Sequence, residues 1–304
     1  MTQFWPEGRL IRTEANRRAL GSRAALEEAC RRETLLEALA LRCDPEHRLH
    51  LSLNGLPGII PREECALGIR EGRTRDIAIL TCVGKPVSFV VTGFSGDTVL
   101  LSRRRAQELA LRELLRTRPG EILPAAVTHL EPYGAFVDLG CGVPSLVPLK
   151  AISVSRIPHP ACRFRPGQEI FVLVRGTRPE QGRVLLSHRE LLGTWAENAA
   201  RFLPGETVPG VVRGVMDYGI FVELAPNLTG LAAPREGFQP GDAVSVFIKS
   251  IQPEKRKLKL VLIGRTQPLS PPMEYFHTRG RIPAWSYEDP ETEVLPAAQE
   301  EESP

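Results

Sequence analysis

The sequence predicts an all-β protein: three tandem five-stranded barrels joined by short helices, followed by a disordered acidic tail. Three observations carry that expectation. Glycine and proline together make up about a sixth of the 304 residues, with 26 and 27 copies, against roughly 12% in ordinary globular chains. Such an excess favours short elements and many turns. A stretch of about twenty residues occurs twice. Charge also divides the chain, because the net +3 hides a body of +9 over 1–265 and a segment of −6 over 266–304.

Taken in order, residues 1–32 form an extension in which Ser22 caps a helix running to about Arg32, with Leu26, Ala29 and Cys30 on its buried face. Residues 33–103 hold the weakest of three repeats, its first strand expected at Thr34 to Arg42. LSLNGLPGIIPREE (51–64), VGKPVSFVV (83–91) and VLLSRR (99–104) parallel segments of the later copies. A linker helix over 104–117 follows, drawn from the glycine-free run Arg103 to Arg116 with Leu111, Leu114 and Leu115 at helical spacing.

The two later repeats occupy 118–187 and 204–263. GEILPAAVTHLEPYGAFVDL (120–139) and GETVPGVVRGVMDYGIFVEL (205–224) share nine of twenty residues at an offset of 85. Their second halves, 166–187 and 240–262, match at an offset of 74, so the first of the two copies is eleven residues longer in the stretch ISVSRIPHPACRF. Duplication on this scale signals tandem domains. Between them, 188–203 is read as one helical linker from Arg189 to Phe202, with Leu191, Trp195, Ala199 and Phe202 on one stripe and Trp195 as packing anchor. Residues 264–304 are proline-rich, acidic and aperiodic, the composition of a disordered tail.

Within each copy, short apolar runs are punctuated by Pro166-Gly167 and Pro240-Gly241, and PEQG or PEKR turns into the last strand. Five short strands in 60–70 residues suit a closed barrel, which leaves no exposed sheet edge. The oligonucleotide-binding barrel fits that size. Tyr133-Gly134-Ala135-Phe136 and Tyr218-Gly219-Ile220-Phe221 are the strongest candidate binding residues. Residues three apart in a strand face opposite ways, so a bulge at Gly134 and at Gly219 is expected to bring both aromatics outward. There they would stack unpaired bases. Arg183 and Lys257 follow matching turns, and Lys249, Lys255, Arg256 and Lys259 add charge for phosphate contact.

Other chemistries find little support. No apolar run approaches the roughly 18 residues of a membrane span, and the N-terminus carries no secretory signal, so a cytoplasmic, monomeric protein is expected. The six cysteines lack Cys-x-x-Cys spacing, and His47 and His50 have no third ligand, so neither a metal nor a cofactor is expected. GKPVS (84–88) is no Walker loop, and neither a Gly-x-Ser-x-Gly elbow nor a two-metal acidic cluster occurs. No enzyme is expected.

The run from GQEIFVLVRG through GRVLLSHRELLGTWAENAARFLPGETVPGVVRGVMDYGIFVELAPNLTGLA resembles the RNA-binding repeats of bacterial ribosomal protein S-one, strongly over 118–263 and moderately over 33–103. The resemblance implies single-stranded RNA, including messenger RNA, bound on the outer barrel face by Tyr133, Phe136, Arg183, Tyr218, Phe221 and Lys257, with Lys249 beside them. Two departures from the family pattern lower the expected affinity per domain. Its usual histidine is Pro148 and Ala233, and its hairpin aspartate is Pro179 and Pro253. Avidity across tandem copies would compensate. The first repeat has His47-Arg48-Leu49-His50 where the aromatics belong, and resembles the leading repeats that face the small ribosomal subunit. The alternatives are a regulator acting through protein partners away from the ribosome, and an accessory subunit of an RNA-processing enzyme.

Overall fold

A computed structural model describes residues 4–267 and 273–282. Helices α1 (Glu14–Ala19) and α2 (Arg23–Arg31) precede the first barrel. Ser22 caps α2 by accepting from the Ala25 amide at 3.2 Å; Leu26 and Ala29 are buried, while Cys30 is only partly so. Strands β1 (Leu36–Cys43), β2 (Leu49–Leu53) and β3 (Leu56–Ile60) lead through a short α3 (Ile77–Leu80) to β4 (Pro86–Ser95) and β5 (Thr98–Ser102). Their order, β1-β2-β3-β5-β4, closes into a barrel around Leu36, Leu49, Leu53, Ile60, Phe89 and Leu101.

Helix α4 (Arg103–Leu114), capped by Ser102, leads into β6 (Ile122–Glu131), β7 (Gly134–Asp138), β8 (Pro144–Pro148), β9 (Glu169–Arg178) and β10 (Arg183–Ser187). The third unit repeats the plan with β11 (Thr207–Met216), β12 (Gly219–Ala225), β13 (Leu228–Ala232), β14 (Ala243–Gln252) and β15 (Lys257–Arg265). The expected all-β architecture of tandem five-stranded barrels is therefore present.

The middle barrel closes differently from its neighbours. In the outer two, a parallel ladder joins the third and fifth strands, at Gly58↔Val99 and Leu231↔Lys259. Glycine permits that approach: a Cβ on Gly58 would sit 2.9 Å from Leu101, and one on Gly230 2.6 Å from Leu260. The corresponding residue of the middle unit is Ser145. Its sheet runs β10-β9-β6-β7-β8 with no β8–β10 ladder, and the Ser145 hydroxyl bridges the seam by donating to the Val184 carbonyl at 2.8 Å. A side chain occupies the space that glycine leaves open in the other two.

Two sequence expectations need correction. The single linker helix over Arg189–Phe202 is broken: a 3-10 turn (Arg189–Leu192) ends at Gly193, φ 77°, and α5 (Trp195–Ala199) starts afresh from a Thr194 capping box. A Cβ at Gly193 would lie 2.7 Å from the Phe276 ring, so the break accommodates a segment from far down the chain. That segment is the second correction. Strand β15 runs to Arg265, and residues 273–282, expected within the disordered tail of 264–304, instead lie along the middle barrel. Ile122 donates to Gly280 at 3.1 Å, Ile282 to Gly120 at 2.9 Å and Phe276 to Leu191 at 2.9 Å. The remainder of the expected tail, 268–272 and 283–304, lies outside the described residues.

Two straps, the N-terminal segment that carries Glu7 and the segment 273–282, are held at the same place in successive repeats, the residue after the fifth strand's final serine. In the first, Arg103 grips Glu7 through two donors at 2.7 and 2.8 Å, while the Glu7 amide donates to Asp138 of the middle barrel at 2.7 Å. Burial alone would lower Arg103's affinity for its proton, and the Glu7 carboxylate beside it raises that affinity well above the usual range. In the second, His188 is fully buried with its Nδ1 2.8 Å from the Ile152 carbonyl and its Nε2 2.9 Å from the Tyr275 hydroxyl. A carbonyl only accepts, so Nδ1 carries the proton and Nε2 accepts from Tyr275. Burial pushes the His188 pKa down to about 4, in keeping with that neutral ring.

Candidate nucleic-acid interface

Tyr133 and Phe136 sit with ring centroids 6.1 Å apart at 83°, and Tyr218 and Phe221 at 6.1 Å and 88°. The same edge-to-face pair is thus built twice. Tyr133 is 58% exposed and Tyr218 66%, while each phenylalanine is half-buried. The expected bulges at Gly134 and Gly219 are not what brings them together. Each tyrosine lies in the turn ahead of its strand, where alternation does not apply. The bulges fall on the partner strands instead, at Thr128 between Val127 and His129 and at Arg213 between Val212 and Gly214. The glycines answer to a different demand. A Cβ on Gly134 would stand 2.5 Å from the Val147 carbonyl oxygen, and one on Gly219 2.6 Å from that of Ala232.

Register places cations beside the rings. On the third barrel Phe221 pairs with Leu231, and Leu231 with Lys259, giving one lateral row on the outer face. Lys257, two residues before Lys259, shares its face, and Lys249 is the bulged residue between Ile248 and Ser250 alongside. On the middle barrel the row reads His129, Phe136, Leu146, with Leu185 beyond the Ser145 seam and exposed Arg183 two residues earlier. Arg183, Lys249, Lys257 and Lys259 form no ion pair with a described acid, so their charges face solvent uncompensated. Lys255 and Arg256 lie in the turn before β15, Arg256 with φ 46°.

Two residues absent from the sequence reading complete the faces. His129 is exposed and stacks on Phe136 at 4.2 Å and 10°. Its counterpart opposite Phe221 is Gly214, so no imidazole stacks on that ring. Arg175 is the exposed, bulged residue of β9, as Lys249 is of β14. Both were within reach of sequence reasoning. A two-residue turn fixes His129 opposite Phe136, and the 74-residue offset pairs Arg175 with Lys249.

The first barrel presents different chemistry at the same place. His50 pairs with Arg42 as Phe136 pairs with His129, so a histidine stands where the phenylalanine stands. Its Nε2 lies 2.7 Å from Asp44, which also accepts from the Arg48 amide at 2.9 Å and the Arg48 guanidinium at 2.8 Å. Desolvation works to raise the Asp44 pKa, and the bonds from His50 and Arg48 outweigh it and hold the carboxyl far below the usual range. This face is closed by ionic bonds. Nearby, Leu39, Leu41, Ile77, Leu80 and Val83 are all exposed.

Residues 116–189 match the S1 RNA binding domain. The small ribosomal subunit protein bS1 of Leuconostoc lactis is 30% identical over 70% of this chain and 52% of its own length. That of Rhizobium meliloti (strain 1021) is 26% identical over 85% and 49%. The chain is thus similar to bacterial ribosomal protein S1 over most of its length. This S1-like chain spans about half the length of the curated relatives it matches. Among solved structures, a multidomain protein with nucleic acid binding domains from Streptococcus pneumoniae aligns over 77% of this chain and 74% of its own, at 15% identity and a TM-score of 0.26. The S1 match encloses Tyr133, Phe136, His129, Arg175 and Arg183. No described helix is long and apolar enough to cross a membrane.

Proposed function

We propose that this S1-like chain is a non-catalytic, monomeric protein that binds single-stranded RNA on the outer faces of its second and third barrels, in association with the small ribosomal subunit and translation. The observation that carries this reading is the duplicated platform: two exposed tyrosine–phenylalanine pairs of matching geometry, each beside unpaired cations. Aromatic faces accept any base, and the cations answer the phosphates, which together suit sequence-tolerant single-strand binding. The first barrel, with its ring position locked to Asp44, serves instead to dock on a protein surface of the small subunit through Leu39, Leu41, Ile77, Leu80 and Val83. That assignment draws on the relatives' name as small ribosomal subunit proteins.

The test is a titration of labelled unstructured RNA against a duplex of the same length at several salt concentrations. Preference for the single strand, with affinity falling steeply between about 50 and 200 mM salt, is the expected result. Equal affinity for duplex, or binding insensitive to salt, contradicts the reading.

A further inference from the structure

The eleven residues by which the second repeat exceeds the third lie in the loop between β8 and β9, and that loop does not stay on its own barrel. The Val154 amide donates to the Asn227 side chain at 3.0 Å, and the Ser155 amide to the Pro226 carbonyl at 3.0 Å. The Ser155 hydroxyl meets that of Thr229 at 2.8 Å. Arg163 donates to both Glu223 oxygens at 2.7 Å, and Arg213 reaches the same fully buried carboxylate at 2.5 Å. Asn227 lies in the β12–β13 turn and Thr229 on β13 just after it, where Thr229 pairs with Glu223.

The register shows where this contact falls. Glu223 is two residues from Phe221 on β12, and Thr229 two residues from Leu231 on β13. Residues two apart in a strand share a face and lie about 7 Å apart. The loop of the middle barrel is therefore seated on the row next to the Phe221–Leu231–Lys259 row, on the same outer face of the third barrel. Between buried Ser155 and buried Ile157, Arg156 is exposed, and it forms no hydrogen bond or ion pair with a described residue. In the same contact between loop and barrel, two arginines on one glutamate leave a buried cluster with a net positive charge.

We infer that the loop and the third barrel form one composite RNA site, in which Arg156 of the second repeat takes a phosphate of the strand stacked on Tyr218 and Phe221 of the third. The inference rests on the platform reading above and extends it: the third platform is completed by its neighbour. A strand crossing Phe221 toward Glu223 meets the loop, and the charge available there is the exposed side chain of Arg156.

The experiment measures binding of the full chain to a short fluorescein-labelled oligouridylate by anisotropy across a salt series, for the wild type, Arg156→Gln, Phe221→Ala and Arg75→Gln. Arg75 is an exposed arginine of the first barrel and reports any effect of net charge alone. Arg156→Gln is expected to weaken binding about fivefold at low salt and to flatten the slope of log K against log salt by about 0.7, the value for one phosphate contact on a single strand. Its melting temperature should match the wild type, and Arg75→Gln should change neither affinity nor slope. If Arg156→Gln binds like the wild type, or loses no more than Arg75→Gln, while Phe221→Ala weakens binding, the composite site is wrong and the platform stands. If Phe221→Ala also leaves binding unchanged, the platform reading itself falls.

Discussion

Tyr133 and Phe136 share a face because the tyrosine belongs to a turn and the phenylalanine to a strand, and Tyr218 and Phe221 repeat the solution. Tyr-Gly-x-Phe was legible in the sequence because it recurs at a fixed offset. The bulge position was not, since a bulge belongs to a pair of strands and its residues, Thr128 and Arg213, carry no glycine signature. The glycine of the motif has a role that can be measured. Alanine at position 134 or 219 would press a methyl group onto the backbone of the neighbouring strand, at 2.5 or 2.6 Å from a carbonyl oxygen. Relieving such overpacking costs about 1–3 kcal/mol. Gly134→Ala and Gly219→Ala should each lower the melting temperature by several degrees. An unchanged melting temperature would return these glycines to the role of simple turn residues.

At the scale of elements, α2, α4 and the strands of the repeats followed from hydrophobic spacing and repetition, whereas the break in the second linker and the packing of 273–282 did not. Ser22 caps its helix by the expected side-chain bond, and the structure adds the same device at Ser102 and Thr194. Nothing in the composition of 273–282 announces that Tyr275 meets His188, because the pairing spans 87 residues and depends on a buried site that local patterns cannot display. That site makes a pH prediction. Burial lowers the His188 pKa from 6.5 to about 4. Above pH 6.5 the ring is neutral in both folded and unfolded chains. As pH falls from 6.5 toward 4 the unfolded chain takes up the proton first, so stability is lost across that window. The loss is about 2 kcal/mol by pH 5 and about 3 kcal/mol in full. Urea midpoints at pH 7 and pH 5 should show it, and His188→Asn should show a smaller difference. Equal sensitivity in both proteins would place the titrating group elsewhere.

For the whole molecule, the repeat arithmetic foretold three barrels and a basic body, and the structure adds how they are joined. Glu7 ties the first barrel to the second, and the Arg163–Glu223–Arg213 cluster ties the second to the third. Joined platforms raise the effective concentration of the second once the first has bound, which offsets weak affinity per barrel. The division of labour between barrels has its own test. Leu41→Glu with Ile77→Glu places charge on two exposed residues of the first barrel, so folding should survive. Co-sedimentation with the small ribosomal subunit should be lost while affinity for free RNA is kept. Retained co-sedimentation would remove the first barrel from the docking role.

The central claim is that the paired aromatic platforms hold the RNA. Its most direct test is the affinity of Phe136→Ala/Phe221→Ala for a labelled single strand, measured beside the wild type at one salt concentration. Stacking contributes about 1–3 kcal/mol per base, so losing both rings should weaken binding by at least about tenfold. Both side chains are half-buried rather than core, and circular dichroism and melting should show the double variant still folded. A folded double variant that binds RNA as tightly as the wild type would contradict the account.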